Sequence, residues 1–284
     1  MSGINPGPRW FLIFTCSLWT TLEPASAQNT SCRFDTNTLT FSGTPIEQAR
    51  CLLRPVKRFG VLASPLQLLP APLEDLIGQP VKLDLAAVQK YLTSHKISEI
   101  EIGGWLTNRC EARYFVIHDT STPNYGDNPI PTNINTAAWS YNNLARSSNR
   151  PVAHAFVNRL GDSITPHPFA IPWRATKLEV RILKERGFGP FVHTELFQPR
   201  RRDPAGGPRN DAIAADPGFT EAQYDRLALL YLSASVQHGS WLIPGYHAAV
   251  DAGIPDAHDD PQNFDLAFWA GRLNLLLKSI ADIK

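Results

Sequence analysis

Long hydrophobic runs are missing from this 284-residue chain: nowhere do 18 consecutive apolar residues occur, so no transmembrane helix is expected. A strong charge of either sign is missing too. The 27 Lys and Arg against 26 Asp and Glu leave a formal net charge of +1. That balance argues against nucleic acid as the main partner, which usually leaves a basic footprint. Cysteine is scarce, at four residues, and no two stand as C-x-x-C, which speaks against cysteine-held zinc. No G-x-S-x-G turn is present, so a serine hydrolase with a nucleophile elbow is a poor fit. Internal repeats and low-complexity tracts are absent as well. What remains, 43% hydrophobic and 19% charged residues, is ordinary globular composition, enough for one sizeable domain or one domain plus a smaller one.

The first 27 residues read as a signal peptide. "MSGINPGPR" ends on the positive Arg9, "WFLIFTCSLWTTL" is a short apolar core, and "EPASA" supplies small residues before a cut after Ala27. Export to the periplasm or the medium is expected, in a compartment that permits disulfides. Cys32, Cys51 and Cys110 then remain, with three pairings open, of which Cys32–Cys51 closes the shortest loop.

Residues 28–110 are rich in proline and carry two helix starts. In "GTPIEQARCLLRPV", Thr44 can cap, Pro45 takes the first helical position and Glu47 lies three residues on. In "DLAAVQKYLTSH", Asp84 precedes Leu85, Val88 and Leu92 at helical spacing. This part reads as an N-terminal helical extension or a small domain. Residues 111–284 alternate: strands at "RYFVIHDTS", "VAHAFVNRLGDSIT" and "PFVHTELF", and helices at "NTAAWSYNNLA", "TEAQYDRLALLYLSASVQ" and "FDLAFWAGRLNLLLKSI". The pattern predicts an α/β domain with a mixed central sheet flanked by helices. "QPRRRDPAGGPRNDAIAADPG" reads as a mobile surface loop.

Chemistry concentrates in a few places. His118 ends an apolar strand, where a side chain can emerge into a cleft. Glu195 sits among apolar neighbours in "FVHTELF", and a half-buried carboxylate is costly unless it is paired or near a cation. "PGYHAAVDAGIPDAHDDPQNFD" holds two histidines and five aspartates in 22 positions. Two histidines and a carboxylate, with a fourth position left for water, form a standard catalytic zinc set, and a glutamate outside that set can serve as the base.

In this order the segments "YFVIHDTS", "VAHAFVNRLGDSI", "IPWRATK", "VHTELF", "FTEAQYDRLALL" and "GYH…HDDPQNFD" resemble the zinc-dependent N-acetylmuramoyl-L-alanine amidases of the type-2 amidase and peptidoglycan recognition protein family, over about residues 113–269. The resemblance implies that His118, His247 and Asp260 bind one zinc ion per chain, with Asp259 the competing third ligand. It implies that Glu195 is the general base. The reaction would be hydrolysis of the amide between N-acetylmuramic acid and L-alanine, in peptidoglycan or its muropeptide fragments. His258 stands where many members carry lysine, and is assigned to the oxyanion. Arg174 stands where many carry histidine. His154 and His193 are read as structural or as supports of the site; His95, His167 and His238 are read as ordinary. The rival is a non-catalytic peptidoglycan-binding module of the same fold.

Overall fold

A computed structural model describes Gly3 and residues 32–147, 152–206 and 212–283. The segment read as a signal peptide, residues 1–27, lies outside the described residues, apart from Gly3. Among the described residues no helix is long and apolar enough to cross a membrane.

A five-stranded mixed sheet organises the molecule. Its strands are β3 (Tyr114–Asp119), β4 (Ala155–Val157), β5 (Ser163–Ile164), β6 (Phe191–Leu196) and β9 (Ile243–Tyr246), in the order β5-β4-β6-β3-β9. β4, β6, β3 and β9 run parallel; only β5 is antiparallel, paired with β4. The central strand β3 reads YFVIHD and is buried along its whole length. Such an unbroken run, rather than an alternation, is what a parallel strand covered on both faces requires.

Helices cover the sheet and one another. α4 (Glu221–His238) starts at a capping box, in which the Thr220 hydroxyl accepts from Gln223 N and the Gln223 side chain returns to Thr220 N. It ends at Gly239, whose φ of 86° is the left-handed conformation glycine adopts without strain. Its stripe of Tyr224, Leu227, Ala228, Tyr231 and Leu232 predicts an amphipathic helix, and burial extends beyond that stripe to 12 of its 18 residues. The reason is its position: it packs on β4 and β6 and is covered by α6 (Leu266–Ala281). α1 (Pro45–Leu52), with the expected Thr44–Glu47 capping box, packs against β9. α2 (Ala71–Glu74) and α3 (Leu85–Ser94), the latter capped by Asp84, pack against α6. β1 (Phe34–Asp35) and β2 (Thr40–Phe41) form a short hairpin ahead of α1. One apolar core runs through all of this: Phe41, Leu52, Leu73 and Val88 belong to the same cluster as Phe115, Leu230 and Trp269.

Two segments depart from the sequence expectation. "NTAAWSYNNLA" forms two 3₁₀ turns, Ser140–Asn142 and Leu144–Arg146, instead of a helix. Its asparagines compete for the backbone: Asn142 Nδ2 donates to Ile134 O and Thr136 O, and Asn143 Oδ1 accepts from Ala145 N. The Arg-rich segment expected as a mobile loop holds β7 (Arg200–Arg202) paired with β8 (Ala212–Ala214). Arg200 turns inward there and is buried in an ion pair with Asp119 at 2.8 Å.

Cys32 and Cys51 are disulfide-bonded, 19 residues apart. Closing a loop of this size stabilises a fold by about 3 kcal/mol, mainly through the unfolded chain. Cys51→Ser is therefore expected to cut the unfolding free energy by about that amount, read as a lower urea midpoint; an unchanged midpoint would show that the bond adds nothing. Cys110 is free and buried, and burial pushes its thiol up to about 11.

Candidate metal centre and cleft

The site forms at the carboxyl ends of the parallel strands, where open α/β sheets usually bind their ligands. His118 and Glu195 are each the fifth residue of their strand, and β3 pairs with β6 so that these two stand side by side. Side chains paired in register leave the same face of a sheet. β9 ends at Tyr246, and His247 opens the short helix α5 (His247–Val250) directly after it. Asp260 comes in from the loop beyond. Its backbone oxygen accepts from Ala248 N at 2.9 Å, and its Oδ2 accepts from Asp119 N at 3.0 Å.

These three side chains meet. His118 Nδ1 lies 2.9 Å from His247 Nδ1, and His247 Nδ1 lies 3.1 Å from Asp260 Oδ1. His118 Nδ1 stands 3.9 Å from Asp260 Oδ2. All three residues are buried, and their ligand atoms fall within 4.8 Å of one another. Two imidazole nitrogens this close need a proton or a cation between them. Donors about 2.0–2.1 Å from one tetrahedral zinc stand roughly 3.3 Å apart. The donor set therefore fits a metal ion.

Electrostatics describe the same group without metal. Burial, then the neighbouring His247 and His193, hold His118 well below the ordinary histidine range. Burial would lower His247 too, but Asp260 and Asp251 outweigh it and raise it to about 10. Asp260 is held well below the carboxylate range: burial works against this, and the His247 charge prevails.

The other predicted residues are placed as follows. Asp259 is outside the ligand group; its side chain is 38% exposed, accepts from Gln262 Nε2 at 2.7 Å and lies 3.6 Å from Arg200. His258 is half exposed at the mouth, with Nδ1 3.5 Å from Asp260 Oδ1 and its ring 4.3 Å from that of His247. Glu195 is half-buried and lines a cleft of about 570 Å³ together with His247, His258, Thr120, Arg174 and Lys177. Arg174 donates to Lys184 O at 2.7 Å and stacks over Phe188. His154 is buried beside β4; its Nδ1 accepts from His193 N and its Nε2 donates to Ile171 O. Burial holds it well below the ordinary range. His167 stacks on Trp173.

Three buried carboxylates around the centre escape the sequence reading. Asp119, next to His118, accepts from Arg200 and from Gln262 N at 3.2 Å, which ties the loop of Asp260 to β3. Burial pushes its carboxyl up to about 6, and Arg200 opposes that rise. Asp251 Oδ2 lies 2.9 Å from His247 Nε2, and Glu179 Oε1 lies 3.1 Å from His193 Nε2. Asp251 follows His247 by four positions, a spacing that puts both on one side of a helical turn and is visible in sequence. Glu179 sits in "KLEVRIL" among apolar neighbours, the same signal that singled out Glu195.

No family model matches the chain, and no curated protein matches it. Among solved structures it is similar to the crystal structure of a selenomethionine derivative of AmpD, at 16% identity and a TM-score of 0.34. The match covers 61% of this chain and 98% of that one.

Proposed function

We propose that this protein is an exported, zinc-dependent N-acetylmuramoyl-L-alanine amidase. The observation that carries the reading is the buried His118–His247–Asp260 group, whose His247 lines the same cleft as Glu195. His118, His247 and Asp260 would hold one zinc ion. Zinc, when bound, supplies Lewis acidity toward a carbonyl and brings the pKa of a coordinated water to about 7. Glu195 takes a proton from the attacking water and returns it to the leaving amine of L-alanine, as base and then acid. His258, at the mouth, donates to the carbonyl oxygen as its charge develops. The cleft of about 570 Å³ beside Glu195 would take a lactyl–peptide junction of peptidoglycan or of a soluble muropeptide.

The test is metal content of the purified protein together with mass spectrometry of products from peptidoglycan. One zinc per chain and release of stem peptides beginning with L-alanine are expected. Tight peptidoglycan binding without release would make the protein a binding module instead. His258→Ala is expected to keep its zinc and lose about 10²- to 10³-fold in kcat, the usual cost of one oxyanion donor. Loss of zinc in that variant would make His258 a ligand.

A further inference from the structure

Four consecutive backbone amides, those of residues 175–178, are spent on two buried carboxylates. Glu179 Oε2 accepts from Ala175 N and Thr176 N, both at 2.9 Å, and from the Thr176 hydroxyl at 2.8 Å. Asp251 accepts from Lys177 N at 3.0 Å through Oδ2 and from Leu178 N at 2.9 Å through Oδ1. Each carboxylate then faces one histidine chain. Asp251 takes the Nε2–H of His247 directly, at 2.9 Å. Glu179 takes the Nε2–H of His193 at 3.1 Å, and the Nδ1 of His193 lies 3.1 Å from the Nε2 of His118. Glu179 and His193 are fully buried, and the His193 ring stacks against His154, whose Nδ1 accepts the His193 backbone N–H.

Hydrogen-bond polarity decides what this arrangement does. A carboxylate saturated by N–H donors can only accept, so His193 carries its proton on Nε2 and presents a bare Nδ1. His118 must then donate from Nε2, which leaves its Nδ1 bare on the side of His247 and Asp260. Asp251 imposes the same tautomer on His247. We propose that the turn at residues 175–178 is a single brace for the metal centre. Through it, Glu179 (by way of His193) and Asp251 act as positioning residues that hold the Nδ1 atoms of His118 and His247 ready for the ion. This inference rests on the zinc reading above. It adds that metal affinity depends on a carboxylate two hydrogen bonds away from the nearest ligand atom.

The experiment is zinc affinity, measured by competition with a chromophoric chelator on the full exported chain. Wild type, Glu179→Gln, Glu179→Ala, Asp251→Asn and His193→Leu are compared. Supports of this kind are usually worth 10- to 100-fold in metal affinity, so a 10- to 100-fold rise in Kd is expected for Glu179→Gln, for Asp251→Asn and for His193→Leu. The order within position 179 is the sharper readout. Glutamine is isosteric but offers an N–H to His193, which reverses the relay and puts the His118 proton on Nδ1. Glu179→Gln should therefore weaken zinc at least as much as Glu179→Ala. A purely structural role gives the opposite order and overturns the proposal, as does wild-type affinity in both Glu179→Gln and Asp251→Asn. If the Glu179 variants do not fold, Asp251→Asn and His193→Leu decide alone: wild-type affinity in both overturns the proposal, and a 10- to 100-fold loss in both supports it. Absence of zinc binding in the wild type would remove the underlying reading itself, a separate and distinguishable failure.

Discussion

His118→Ala is expected to give a folded protein that holds no zinc and releases no stem peptide from peptidoglycan. His118 is one of three donors in a buried group, and alanine leaves an imidazole and a carboxylate to hold a divalent ion. Open catalytic sites already work with three protein ligands, so a two-donor remnant drops below useful affinity. The fold should survive, because β3 is fixed by its pairing with β6 and β9 on both sides. The change also frees Nδ1 of His193, which then needs a water in the space the ring vacates. Zinc content by atomic emission, alongside turnover, checks this. His167→Ala is the control, since His167 stacks on Trp173 away from the ligand group. One full equivalent of zinc in His118→Ala would refute the ligand assignment.

Glu195→Gln should separate chemistry from metal binding. Glutamine has nearly the same shape and Glu195 lies outside the ligand group, so zinc content and thermal midpoint should match the wild type. Turnover should fall by roughly 10²- to 10⁴-fold, the value of a positioned acid/base. The loss should appear in kcat rather than KM, because proton transfer matters only in the transition state. The register pair His118–Glu195 explains why this residue is the base candidate: the strand pairing fixes its distance from the centre, whatever the loops do. Near-normal kcat in Glu195→Gln would remove Glu195 from the mechanism.

What the sequence exposes and what it hides follow from locality. Thr44, Asp84 and Thr220 cap their helices as their neighbours predict, because capping is settled within four residues. His118 and Glu195 stand out because a polar group inside an apolar strand is costly without a partner. The burial of α4 is not visible in its stripe, since it depends on α6 arriving from about 40 residues further along the chain. The inward turn of Arg200 is hidden for the same reason: "RRR" reads as solvated until Asp119, about 80 residues earlier, is seen beside it. Glu179 and Asp251 carried weak local signals, but their shared dependence on residues 175–178 exists only in three dimensions.

The crossing of α1 over β9 has a consequence for anyone cutting this chain into pieces. At Gly245 a methyl group would come within 2.9 Å of the Leu52 Cβ, so the strand is bare where the helix sits on it. Gly245 is two residues from His247. A fragment begun near residue 111, at the border the linear sequence suggests, would uncover that groove next to the candidate metal centre and discard the Cys32–Cys51 bond with it. Helix α1 thus closes the back of β9, about 200 residues further along the chain. A minimal expression unit, a tag placed in the middle of the chain or a chimera with another protein would have to respect this interlock rather than the order of the residues.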